Sequence, residues 1–165
     1  MNKLLLAAAV ALTTGCASHS HYAGLESRDI KALSPADIEG LKAGRGMSLA
    51  LAAELNGYPG PLHVLELAGP LALTEDQRLR TRALQDRMLA EARTAGEELI
   101  ARERELDRGF AARTLDASGL SAALARIAEA QARLRRAHLQ AHLEQALILR
   151  PDQVEQYNRL RGYRN

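Results

Sequence analysis

The sequence predicts an all-α protein, a long antiparallel helical hairpin with short flanking helices. Three observations point there. Aromatic residues are scarce, with no Trp, one Phe and four Tyr; Ala, Leu, Arg and Glu take their place, which favours helix over sheet. From Glu75 to about Ala112 there is no Pro, and Gly occurs only at 96 and 109; a helix of that length is roughly 55 Å long. After a break at Leu115-Asp116-Ala117-Ser118-Gly119, a second Pro-free stretch runs from about Ser118 to Leu149. A short connection makes two such helices antiparallel neighbours.

The elements follow in chain order. Asn2 and Lys3 give a positive start, Leu4 to Leu12 is an unbroken apolar run, and Thr13-Thr14-Gly15 lead to Cys16. Nine apolar residues are too few for a permanent membrane span and fit a signal peptide. The chain has one cysteine, so no internal disulfide is available, and Cys16 stands where a lipobox places its acylated residue. Residues 1–15 are therefore expected to be a signal peptide, 16–29 a lipidated tether and 30–165 a helical domain. Thr13 stands where such signals usually carry Leu. By similarity to bacterial sorting signals, Ala17 after the cysteine implies a periplasm-facing anchor in the outer membrane.

Within the domain, Ser34-Pro35-Ala36-Asp37 reads as a serine cap, a proline at the first helical position and an acid three past the cap. A short helix should end at about Ala43, before Gly44 and Gly46. A second short helix is expected over Met47 to Leu55, closed by Asn56-Gly57-Tyr58-Pro59-Gly60-Pro61. Leu62 to Ala68 should add one or two turns. Thr74 and Gln77 form a capping box for the first long helix. Its seam is predicted at Met88, Ala92, Ala95, Leu99, Leu106 and Phe110. On the second, Leu120, Leu124, Ile127, Leu134, Ala141 and Ile148 keep heptad spacing, with Gln131, His138 and Gln145 as polar members. Pro151 opens a last helix with an apolar stripe of Val154, Tyr157 and Leu160, ended by Gly162.

A formal charge of +2, about +1 once Lys3 is removed with the leader, lacks the basic excess of a nucleic-acid binder. No nucleophile elbow, Walker loop or H-E-x-x-H occurs, so an enzyme is not expected.

Leu73-Thr74-Glu75-Asp76-Gln77 matches the L-T-x-x-Q motif of the Spy/CpxP family, and Leu149-Arg150-Pro151-Asp152-Gln153 resembles a second copy separated from it by the hairpin. The similarity covers about residues 71–163. Arg150 departs from the usual Thr and weakens the second cap, because Arg has no acceptor. The resemblance implies a homodimeric, ATP-independent periplasmic chaperone acting on unfolded envelope proteins, a stress regulator, or a metal-binding or metal-sensing protein.

The histidines carry the chemistry. His138 and His142 are four apart, on one face of the second long helix, and could share an ion. They could equally be hydrogen-bonded helix residues. His63 and Glu66, three apart, could complete a site with Zn, Cu, Ni or Co if their helix folds back, with Met47 or Glu54 adding a ligand. Such an ion would be lost as the imidazoles protonate. The resemblance favours metal, since sensor-branch members use residues at this helix spacing. His19 and His21 in the tether read as linker polarity. Arg78, Arg80, Arg82, Arg87, Arg133, Arg135 and Arg136 read first as a solvated face paired by acids such as Asp86, Glu91, Glu97 and Glu98, and second as a basic rim. Two functions stay open: a chaperone or envelope-stress protein that also binds a divalent heavy metal, and a dedicated heavy-metal (Zn, Cu or Ni) sensor or resistance protein. A purely structural envelope lipoprotein is the third class.

Overall fold

The computed structural model describes residues 22–163. The expected signal peptide, Cys16, His19 and His21 lie outside the described residues. Among these, every regular element is helical. They are α1 (Pro35–Ala43), α2 (Leu51–Glu54), α3 (Pro61–Glu66), α4 (Glu75–Ala111), α5 (Ala117–Ile148) and α6 (Pro151–Leu160), preceded by a single 3-10 turn at Leu25–Ser27.

Helices α4 and α5 form the hairpin. Asp116 caps α5, its carboxylate accepting from Gly119 N at 2.7 Å. Ala123, Ala130 and Ala137, seven apart, are buried beside Ile127, Leu134 and Ala141. This alanine heptad lets α4 approach closely through Ala92, Ala95 and Leu99, which are also buried. The predicted seam needs three corrections. Leu124 is 49% exposed and Phe110 59% exposed. Ala123 takes the inward position at the first site, and Phe110 lies in the last turn of α4, beside the short connection to α5. Gln131 is also exposed. Gln145, in contrast, is fully buried and donates to Thr81 Oγ1 at 3.2 Å.

Helix α1 begins as read: Ser34 Oγ accepts from Asp37 N at 3.1 Å, and Asp37 Oδ2 accepts from Ser34 N at 2.9 Å. It crosses α4 at Gly96, where a Cβ would stand 2.5 Å from Leu41 O. Only glycine permits that approach, which accounts for its place inside a long helix. Ile30 and Leu41 join the hairpin core there. The helix expected over Met47–Leu55 is shorter. Met47 and Ser48 have left-handed φ values of 41° and 68°, so the chain turns before α2 can start.

The start of α4 and the start of α6 meet. Thr74 and Gln77 complete their box at 3.2 and 3.1 Å. At α6 only half a box forms, because Arg150 offers no acceptor: Gln153 Oε1 accepts from Arg150 N at 2.9 Å. The two glutamines then pair. Gln77 Nε2 donates to Gln153 Oε1 at 2.8 Å, and Gln153 Nε2 donates to Gln77 Oε1 at 3.1 Å. Their remaining donors reach Ile148 O and Leu71 O, each at 3.0 Å. A second core of Val64, Leu71, Leu73, Leu149 and Tyr157 surrounds this amide pair.

Candidate metal centre

The α1–α2 connection, α2 and the start of α3 fold over the half of the hairpin nearer its open end and line a partly open cavity of about 450 Å³. His138 and His142 of α5, His63 of α3, and Met47 and Met88 all line it. These are all the histidines and methionines among the described residues. The hairpin supplies a rigid wall of His138, His142, Met88 and Gln85. The short elements supply Met47, Glu54 and His63 from the other side.

His142 is oriented by its Nδ1, 2.8 Å from Tyr58 O. A carbonyl can only accept, so Nδ1 carries a hydrogen, and in the neutral ring Nε2 keeps its lone pair. Gly60 makes room for the ring: a Cβ there would lie 2.9 Å from His142 Cε1. His138 is 4% exposed, and its Nε2 has no hydrogen-bond partner among the described residues. Burial, aided by the neighbouring His142, pushes its pKa below the usual imidazole value, which keeps the ring neutral and able to act as a ligand.

His63 Nδ1 lies 2.9 Å from Glu66 Oε2. Glu66 was expected as a ligand, but it does not line the cavity; it holds the His63 ring instead. Both His63 and His142 thus anchor one nitrogen on an oxygen, as metal-ligating histidines commonly do.

The buried carboxylate of the site is Glu54, at the end of α2. Its Oε1 accepts from Tyr157 Oη in a short hydrogen bond and from Tyr163 Oη at 3.0 Å, and lies 3.6 Å from Arg161 Nε. Its Oε2 has no hydrogen-bond partner among the described residues and lies 3.5 Å from His142 Nδ1. Burial first, and Glu54 second, push the Tyr157 phenol far above its usual pKa, so it stays a donor. Arg161 in turn donates to Tyr163 Oη at 3.0 Å and stacks on its ring.

Sequence reasoning did not find Tyr157 as a polar partner, nor Arg161, Tyr163 and Gln85. Tyr157 was read as apolar stripe, and nothing in its spacing from Glu54 could show the pairing. Among the described residues, no three His, Cys, Asp or Glu side chains stand close enough to hold an ion by themselves. Three of the seven arginines pair on the surface among the described residues, Arg80 with Asp76, Arg87 with Glu144, and Arg133 with Glu98 and Glu129; of the acids expected as partners, Glu98 is the one engaged. Comparison with family models, curated proteins and solved structures finds no match for this chain.

Proposed function

We propose that this protein is a periplasm-facing, membrane-anchored lipoprotein of the Spy/CpxP type that binds a heavy-metal ion in the cavity between the hairpin and its short helices. One observation carries the reading: His138 Nε2 is buried without a partner in a cavity that also collects His142, His63 and Glu54. A buried polar atom left unpaired costs about 1–3 kcal/mol, and an ion removes that cost. The pairing of Gln77 with Gln153 supports the Spy/CpxP likeness, since it gives both motif copies one structural task. Anchorage through Cys16 and residence at the outer membrane rest on the sequence signals alone.

The test is a titration of the mature chain with Zn, Ni, Co and Cu, with and without His138→Ala and His142→Ala. Stoichiometric binding that the double substitution abolishes supports the proposal. Wild-type protein that binds none of these ions sinks it.

A second reading has its own support. Leu143 and Leu147 are 54% and 83% exposed on α5, and Leu79 is 60% exposed on α4. Such leucines suit the client surface of a chaperone. Suppression of client aggregation without metal, unchanged by the two histidine substitutions, would favour it.

A further inference from the structure

Resting on the metal reading above, we propose that the ion is a soft monovalent cation, Cu(I) or Ag(I), held by His138 together with the thioethers of Met47 and Met88. Three features of the cavity point the same way.

The first is the donor set. Thioether sulfur is a poor ligand for Zn or Ni and a good one for Cu(I). Both methionines of the described chain line this cavity, where chance would scatter them through the core. His138 offers its unpartnered, buried Nε2. These three donors are neutral.

The second is charge. The wall carries two guanidinium groups, Arg45 and Arg161, and one carboxylate, Glu54. Glu54 is already engaged by Arg161 and the two tyrosines. The formal charge of the wall is therefore more positive than negative. Repulsion from the guanidinium groups is twice as strong for a divalent ion as for a monovalent one, and desolvation grows with the square of the charge. Both effects select the lower charge.

The third is the backbone. Met47 adopts φ 41° and Ser48 φ 68°, a left-handed pair without glycine. Such strain costs about 1–3 kcal/mol per residue and concentrates at functional sites. Here it places Met47 among the residues that line the cavity. Gly40 makes room for it, since a Cβ there would lie 2.6 Å from Met47 Sδ.

The purified chain is equilibrated anaerobically with Cu(I) against the chelator bathocuproine disulfonate, titrated separately with Ag(I), and titrated with Zn(II), Ni(II) and Co(II). The same measurements are made on Met47→Leu, on Met47→Leu/Met88→Leu, and on His138→Ala. We expect Cu(I) to be the tightest ion. The double methionine change should weaken it by at least the ~10–100-fold that loss of even an outer-shell partner causes, and leave divalent binding within about threefold of wild type. X-ray absorption at the copper edge should show sulfur neighbours. Met47 is 42% exposed, so its single change keeps the fold and reads the effect if the double variant unfolds. Cu(I) binding that ignores both methionines, or a preference for Zn or Ni that needs His138, overturns this inference and leaves the metal reading standing. A wild-type chain that binds no ion overturns both.

Discussion

Replacing Gln77 by Leu tests whether the paired motif glutamines hold the ends of the hairpin together. Leu keeps the bulk of the side chain and removes its amide. Gln77 is 7% exposed, and its side chain makes four hydrogen bonds: with Thr74 N, with Ile148 O, and two with Gln153. At about 1 kcal/mol net for each, the loss is about 4 kcal/mol. Water reaches Thr74, which is exposed, and the new leucine gains some apolar burial, so about 2–4 kcal/mol is expected. For a domain of this size that is about 5–15 °C in Tm, at 2–4 °C per kcal/mol. Gln153→Leu also removes four bonds, those to Arg150 N, Leu71 O and Gln77. Two of them are shared. The double change therefore removes six bonds, and a double-mutant cycle in urea should show a coupling of about 2 kcal/mol. Additivity within about 0.5 kcal/mol, or a single-site loss under about 1 kcal/mol, would refute the idea that the pair acts as one unit.

Three further outcomes follow from the same geometry. Gly96→Ala would set a Cβ 2.5 Å from Leu41 O; it should destabilise by about 1–3 kcal/mol despite the better helix former, and a thermal melt reads it. Tyr157→Phe keeps the buried ring and removes its hydrogen bond to Glu54; a bond to a charged group is worth about 1.5–3 kcal/mol, and denaturant unfolding should show a loss in that range. In chelator-treated protein the depressed His138 pKa means that the unfolded chain takes up its proton first as pH falls. Stability from this group is then full above about pH 6.5 and declines below it toward the folded pKa, whereas His138→Gln should flatten that part of the pH–stability curve.

Much of the fold was readable because helix ends carry local chemistry. Ser34, Thr74 and Pro151 marked their helix starts from neighbouring residues alone. The hairpin followed from two long runs without Pro. Three things were not readable. The inward turn of the seam at Ala123 rather than Leu124 depends on how closely α4 approaches, and both residues satisfy an apolar pattern. The left-handed turn at Met47 and Ser48 carries no glycine, so composition suggested helix. Of the site, the three histidines and Met47 were legible by residue type, and each lines the cavity. Glu66 shared a helical face with His63, but it points its carboxylate at that ring from outside. Glu54, weighed only as an extra ligand, is the central carboxylate. Its importance comes from contacts more than one hundred residues away in sequence, which no local pattern encodes.

Those distant contacts explain how the cavity keeps its shape. Helices α2 and α3 have four and six residues, far below the length at which a helix is stable alone. Something else must hold them over the hairpin. Gln153 fixes the start of α6 against Gln77. One turn later, Tyr157 reaches Glu54, and Tyr163 and Arg161 close on the same carboxylate. The Tyr157 hydroxyl also lies 3.5 Å from Gly60 N, at the entry to α3. The second motif therefore acts on the site at a distance. It turns α6 back so that Tyr157 and the following Tyr163 pin the two shortest helices, which bring Glu54 and His63, with Met47 from the connection before them, opposite the histidines of α5. In this arrangement the hairpin supplies a continuous wall, while α6 supplies registration between that wall and the short segments that complete the cavity.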